Sequence, residues 1–566
     1  MAWPRAVQLS LGFSLLALML VQAWRPFYFL TDDNLCGWMP VVVDLGRSLG
    51  HGASPFVNPH LYGGQHALLS DPANLCLWHP LVLILALVGQ TPAFAALPDL
   101  YVSLNLLLCA FAMSHLLIRL RAMAASGLSD KRIVLLTLSF TFSAYALIAD
   151  ASWATFAANQ AALPVVMLGL LHPRRRGGLW LICGGLLHAL LGGHLSPFIF
   201  SIFFISVFIV LYSVLARNGE MALRWVGGLG LTLLLASPLL VPAVRGFAGT
   251  ARSGSLPPDF TSFLHIPLPV LAASFFAGKL SVLFESSEKG AIPSSLSHIA
   301  CCVGAMATLH SWGARRQSSL EWAFLSVALL SVVFIVRPLW LTTVLSHIPI
   351  LRSLRIPMRE VLILLFFIHC WIALRPVTLD ARLRRASLAV GAALFVSSFW
   401  SLGPPSFSNM ELDRRLVLGG DAARHWAKLR PTLAGRQYVA AIEVPIPLLN
   451  ANLDRVPWSL LGAYNYAALF GVPAHAGYYI PGLFKAEAGA EPLNAVMGIY
   501  SLGSARRLQA LHPEIAILSL ASLNPPRIDW IEGQKRQPIP LPPSALEPGP
   551  LRPPLARQKP NGALLR

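Results

Sequence analysis

Long apolar runs, separated by short basic or polar breaks, dominate the chain from its N-terminus to about residue 403. They are continuous rather than alternating. Such runs read as helices able to cross a bilayer, which takes about 20 residues, and not as the strands of a membrane barrel. The eleven predicted spans are 7–29, 99–118, 133–149, 158–171, 178–192, 197–216, 225–243, 296–313, 320–336, 360–378 and 386–403. Two more apolar stretches are interrupted, 80–97 by Gly89, Gln90 and Pro92, and 266–284 by Pro267, Pro269 and Lys279. They read as re-entrant or interfacial segments; counting both as crossings gives a thirteen-span alternative.

After residue 403 the pattern changes. Residues 404–535 mix charged and apolar positions and contain the strand-like Tyr438–Val444, which predicts a small mixed α/β domain. Residues 536–566 are Pro-rich and expected to be poorly ordered. The expected architecture is an all-α polytopic membrane domain over 1–403, including a long loop at 30–98, with this mixed region appended.

Charge orients the spans. With the N-terminus in the cytoplasm, the even-numbered loops carry Arg119, Arg121, Lys131 and Arg132; Arg174, Arg175 and Arg176; Arg217 and Arg224; Arg315 and Arg316; and Arg382, Arg384 and Arg385. All of them then fall inside, as the positive-inside rule asks. Loop 30–98, loop 244–295 and everything after about 404 fall outside. The first apolar run ends in Trp24, Arg25 and Pro26 without a small-residue cleavage site, so it reads as a retained span.

Composition agrees with a membrane protein. The 566 residues have a mean hydropathy of +0.62, are 55% hydrophobic and only 12% charged, which excludes an ordinary soluble protein. The net charge of +18 does not indicate a nucleic-acid partner, because the basic residues gather at the ends of apolar runs and no nucleic-acid-binding motif is present. Cys183, Cys301, Cys302 and Cys370 lie in or beside apolar runs and read as small core residues rather than disulfide or metal partners. Neither a Walker motif nor a dinucleotide fingerprint occurs.

The candidate chemistry lies on the outer side. Thr31, Asp32, Asp33 and Asn34 follow the first span directly, and Asp44 and Asp71 lie further along the same loop. A carboxylate at a membrane surface can deprotonate an arriving hydroxyl or hold a divalent cation; a solvated helix cap is the bland alternative. His194, in the turn Leu191-Gly192-Gly193-His194 between two spans, is expected on the same side, either as a polar site residue or merely as a helix cap, with His188 inside a helix. Arg337, Arg352, Arg355 and Arg359 are expected outside, against the charge rule, and guanidinium forks suit a lipid-linked phosphate. The histidines, His51, His60 and His66 among them, are too dispersed for a metal motif, although Mg²⁺ or Mn²⁺ on a few carboxylates is compatible with the sequence.

Several of these features together resemble the GT-C superfamily of multispanning glycosyltransferases, and most closely its YfhO-like bacterial membrane branch. The resemblance rests on Thr31-Asp32-Asp33-Asn34, the stretch Gly52–Pro59 running into Leu61-Tyr62-Gly63-Gly64, Asp71-Pro72 and Trp78-His79-Pro80. It continues with the His194 turn, Leu354-Arg355-Ile356-Pro357-Met358-Arg359, Tyr464–Gly471 and Gly477-Tyr478-Tyr479. It implies a bacterial inner-membrane enzyme that moves a sugar from a polyprenyl-phosphate carrier to an envelope glycan, lipid or protein outside. Asp32 or Asp33 would then be the catalytic carboxylate, with Arg355 and Arg359 facing the phosphate; Arg352, His194, Asp44 and Asp71 are the further candidate substrate- or phosphate-binding groups that the residue pattern itself offers. A transporter or flippase for a lipid-linked saccharide, or a noncatalytic subunit of envelope-polymer assembly, are the rival expectations.

Overall fold

In the computed structural model of the chain, the described residues are 3–58, 60, 66–67, 72–89, 92–124, 128–248, 279–281, 291–293, 318–348, 360–374, 410–433, 436–445, 448–449, 452, 455–470, 472, 474 and 499–546. The spans predicted at 296–313 and 386–403 lie outside these residues. The others fall on helices: α1 Arg5–Trp24, α4 Leu97–Ala124, α5 Asp130–Thr141, α6 Ala144–Ser152, α7 Thr155–Leu170, α8 Arg175–Gly192, α9 Leu195–Ala216, α10 Glu220–Ala248, α11 Ser319–Val336 and α13 Val361–Ala373. Shorter helices intervene: α2 Met39–Gly50, α3 Pro80–Val88 and α12 Leu339–Ser346. Among the described residues five helices are long and apolar enough to cross a membrane, and the shorter Thr155–Leu170 and Val361–Ala373 are also apolar. The protein is a polytopic membrane protein.

One predicted span is broken. The segment 133–149 becomes α5 and α6, because the Ser143 hydroxyl accepts from Ala146 N at 3.1 Å and starts a new helix. The interrupted stretch at 80–97 contains the nine-residue α3, about 13 Å long at 1.5 Å per residue and too short to cross.

The pattern on α1 is that of a helix in lipid. Ser10, Ser14, Leu18 and Val21, spaced three or four apart, are buried, whereas Phe13, Leu16 and Leu20 are exposed. Small residues bring helices together elsewhere too. A methyl group on Gly178 would sit 2.5 Å from the carbonyl oxygen of Gly169, so α7 and α8 meet backbone to backbone.

The C-terminal region is built on helices α14 Glu411–Leu418 and α15 Asp421–Leu433 and a five-stranded mixed sheet. The strands are β1 Tyr438–Ile442, β2 Ile499–Ser501, β3 Ala516–Leu523, β4 Pro526–Glu532 and β5 Lys535–Ile539, in the order β2-β1-β3-β4-β5. β2, β1 and β3 run parallel, and β4 and β5 add antiparallel. The sheet does not stop at 535, where the sequence suggested that order ends. β5 extends it to Ile539, and a short helix at Pro543–Leu546 follows, with the Ser544 hydroxyl donating to Asp421.

One sheet face packs toward the bundle. Tyr438, Ala440, Leu518, Ile528 and Trp530 share a buried core with Leu18, Tyr28 and Leu30, with Leu35, Met39 and Val42, and with Leu97, Tyr101 and Leu106 of α4. Further along α4, Cys109, Met113, Leu116 and Leu120 belong to a second core, which also takes in α8, α9, α11 and α13. α4 thus contributes to both, as do α1, with Ala6 in the second core and Leu18 in the first, and α7, with Phe156 in the second and Ala157 in the first.

Candidate functional site

The acidic turn after α1 is assembled at helix ends. An α-helix leaves its last carbonyls and first N–H groups without intrahelical partners, and two such ends meet where α6 stops and α7 starts. The fully buried Asn34 serves both. Its amide nitrogen donates to Asp150 O and Ala151 O, each at 2.8 Å, and to Phe29 O at 2.9 Å, while its side-chain oxygen accepts from Ala154 N at 2.6 Å. The Thr31 hydroxyl donates to Ala151 O at 2.9 Å. Behind the turn, Asp99 of α4 accepts from Phe29 N at 3.2 Å and from the Gln22 side chain at the end of α1.

Asp32 and Asp33 lie between these anchors. Asp32 is nearly buried and has a left-handed backbone, φ +48°, a conformation that costs a non-glycine residue about 1–3 kcal/mol and persists where surrounding contacts over-determine it. Asp33 is half-buried. The indole N–H of Trp153, in the α6–α7 junction, donates to Asp33 Oδ2 at 2.6 Å and so fixes the direction of that carboxylate.

From Trp153 a row of rings leads to His194. Trp153 and Phe156 have centroids 5.3 Å apart, and Phe156 and His194 5.4 Å. Two ring contacts thus link His194 to Trp153, and its local role is that of a cap. Its Nδ1 accepts from Ser196 N at 3.2 Å at the start of α9, and its own N–H donates to the Asn159 side chain at 2.6 Å. Gly193 is required beside it, because a Cβ there would lie 2.2 Å from Ala189 O and 2.5 Å from Asn159 Nδ2.

A histidine pair that the sequence did not single out lies behind this turn. His79 Nε2 and His188 Nδ1 are 3.0 Å apart, His188 Nε2 is 2.7 Å from Asn105 Oδ1, and His79 Nδ1 accepts from Leu81 N at 3.2 Å. One proton arrangement satisfies all three contacts: both rings neutral, each carrying its proton on Nε2. His188 is inside α8, as the sequence suggested.

The C-terminal region closes over the acidic turn. Residues Asn34–Trp38 form a wide π-helical turn, and its Cys36 and Gly37 carbonyls accept from Asn465 N at 3.0 Å and Asn465 Nδ2 at 3.1 Å. Arg47 of α2 donates to Ala468 O and Leu469 O, both at 3.0 Å, at the end of the short helix Tyr466–Phe470. The same Arg47 pairs at 2.6 Å with Asp44, which also meets His60 at 2.8 Å. Asp44 is thus the buried anchor of a clamp on the C-terminal region. On the far side Glu411 binds Arg25 at 2.8 Å and Arg414 at 3.2 Å.

This closure brings in a third carboxylate, Asp413, which no sequence pattern marks. It accepts from Ser459 N at 2.6 Å, and burial pushes its carboxyl up to about 7 against the hydrogen bonds from Ser459 and Trp458 that favour its charge. Its field reaches the Cys36 thiol and the Tyr464 phenol. Burial first, then Asp33, Asp32 and Asp413, hold the Cys36 thiol well above its ordinary range. Burial, then Cys36, Asp32, Asp33 and Asp413, do the same for Tyr464.

Of the remaining candidates, Asp71, Arg352, Arg355 and Arg359 lie outside the described residues. Arg337 is fully buried and paired with the equally buried Glu360 at 3.1 Å, so its charge is met within the protein. Cys183 and Cys370 are buried free thiols, as expected. Among the described residues no three His, Cys, Asp or Glu side chains converge as a metal site. No family model, curated protein or solved structure matches the chain.

Proposed function

We propose that the protein transfers a sugar from a polyprenyl-phosphate donor to a cell-envelope acceptor on the outer side of the cytoplasmic membrane, with Asp33 as general base. The observation that carries this reading is the Trp153–Asp33 hydrogen bond, on a turn whose neighbouring Asp32 is strained. A half-buried carboxylate held in one direction at the end of a membrane bundle suits proton removal from an incoming hydroxyl. The nearly buried Asp32 suits a supporting part. The GT-C resemblance around Thr31–Asn34, and the charge pattern that puts this end of the bundle outside, add to the reading.

In this reaction the acceptor oxygen gives its proton to Asp33 and attacks the anomeric carbon. The bond from that carbon to the phosphate oxygen breaks, and its electron pair leaves with the lipid phosphate. Arg352, Arg355 and Arg359 are the proposed counter-charges to that phosphate. Asp33 afterwards returns its proton to water. A single direct displacement inverts the anomeric centre.

The test supplies the purified full-length protein with a panel of polyprenyl-phosphate sugars and envelope-derived acceptors and identifies products by mass. A glycosylated acceptor is the expected result. Movement of the lipid-linked saccharide across sealed vesicles, with no covalent product from any pair, favours transport and contradicts the proposal.

A further inference from the structure

We infer that Asn465, supplied by the C-terminal region, is a positioning residue of the Asp32/Asp33 site: its two donors bracket the wide turn that directly follows the acids and fix where that turn sets them. What the turn is held for rests on the sugar-transfer reading; the bracket itself does not.

A π-helical turn is wider than an α-turn, is rare, and occurs disproportionately at functional sites. Here it spans Asn34–Trp38, directly after the two acids, and two of its carbonyls, those of Cys36 and Gly37, accept donors from outside the helix. Both donors come from one nearly buried residue more than four hundred positions away. A side-chain amide beside its own backbone N–H spans two successive carbonyls, which an alanine methyl cannot do.

The strain is distributed in a matching way. Non-glycine residues with left-handed backbone occur on both sides of the bracket, Asp32 at φ +48° and Tyr464, next to Asn465, at φ +55°. Such conformations persist only where neighbours over-determine them. The turn's own anchors, Thr31 and Asn34, act on the first. The bracket acts on the second and on the turn beyond the first. The far end of the inserted segment is fixed independently by Arg47 on Ala468 and Leu469. Residues 464–470 are therefore gripped at both ends by residues 36–47, and the acids, Cys36 and Tyr464 lie within one another's electrostatic reach.

Cys36 reports on the bracket without any substrate. In the full-length protein in detergent, mass-resolved alkylation with N-ethylmaleimide is expected to leave Cys36 protected, together with the buried Cys109, Cys183 and Cys370 of the bundle. Asn465→Ala should speed Cys36 labelling at least tenfold while the three bundle thiols stay protected. Asn465→Asp, which turns an acceptor toward the Gly37 carbonyl, should act in the same direction, and it decides the matter if the alanine variant opens the bundle thiols as well. An unchanged Cys36 rate in the aspartate variant overturns the bracket.

The second readout is steady-state transfer with a polyprenyl-phosphate hexose. Asn465→Ala should lower kcat at least tenfold with KM for the donor within twofold, since the residue orients the base and does not touch the lipid. Faster Cys36 labelling with unchanged kcat overturns the positioning role. Faster labelling in a protein whose wild type transfers no sugar leaves the bracket standing and removes the sugar-transfer reading.

Discussion

The two halves of the bundle are held together by different physics, although α4 runs through both. The core around Met113, Leu116, Phe204, Phe324 and Phe367 is mostly apolar, and its polar ties are dispersed: Ser139 to His369 at 2.9 Å, Gln160 on the Phe140 and Thr141 carbonyls, Arg224 on those of Leu170 and His172, and the buried Arg337–Glu360 pair. Such a core depends on shape and tolerates volume-conserving exchange. The core around Tyr28, Tyr101, Trp426 and Trp458 is bordered by side chains that satisfy backbone groups at helix ends: Thr31, Asn34, Asp99, Arg47 and Asn465. Packing can drift by a fraction of an ångström; a set of directional hydrogen bonds cannot. The half that carries the acids concentrates such bonds on one turn, residues 31–37.

Single substitutions can break this contrast. Asn34→Ala takes a partner from the Asp150 and Phe29 carbonyls and the Ala154 N–H, while Ala151 O keeps the Thr31 hydroxyl, and should cost at least about 3 kcal/mol in thermal unfolding in detergent, given roughly 1–3 kcal/mol for each buried group left unpaired. Met113→Leu, in the apolar core, should cost less than about 1.5 kcal/mol by the same measurement. A cost for Asn34→Ala no larger than that of Met113→Leu would remove the distinction. Arg47→Met uncaps the Tyr466–Phe470 helix and strips a partner from the buried Asp44, and should cost about 2–3 kcal/mol.

A pH series sharpens the same comparison. Burial raises the Asp413 carboxyl from 3.8 to about 7 in the folded state, so its contribution to stability is fully present below pH 3.8 and is lost as pH rises through 7. Burial lowers the His425 imidazole from 6.5 to about 4, so its contribution is present above pH 6.5 and is lost as pH falls through 4. Between these limits the slopes oppose each other and largely cancel in the wild type. Asp413→Asn should leave a protein that loses stability on acidification from pH 6.5 to 4. His425→Gln should leave one that loses it on raising the pH from 4 to 7. Each slope is at most about 1.4 kcal/mol per pH unit, and parallel curves for all three proteins would contradict the assignment. The smallest effect is expected at the surface pair Arg424–Asp421, 2.7 Å apart but with the arginine side chain 66% exposed, where Arg424→Ala should cost under about 1 kcal/mol.

What could be read from the sequence follows from the range of the forces involved. The helices were legible because a bilayer demands long apolar runs, and the sheet region because that demand stops after residue 403. The break between α5 and α6 was missed: Ser143 is a cap only once the chain has turned there, and its neighbours are as apolar as any span. The Asp32/Asp33 turn was visible as an acidic pair at a helix end, but the difference between its members was not, since it depends on Trp153 and on a backbone angle. His194 could be read as a site residue or a cap, and Ser196 and Asn159 give it the cap's contacts. Asp413 had no local signature, and Tyr464 and Asn465, although within a stretch that carries the family resemblance, gave no sign of their contacts, because these are made across the fold, with Cys36 and Gly37 more than four hundred positions away in the case of Asn465.

The most direct test of the account compares Asp33→Asn with Asp32→Asn in sugar transfer by purified protein, each shown to keep Cys36 protected from alkylation. Removing a general base costs about 10²–10⁴ in rate. Asp33→Asn should therefore fall by that factor and Asp32→Asn by clearly less, because the first holds the proton and the second shapes the turn. Wild-type transfer by the Asp33→Asn protein would contradict the account.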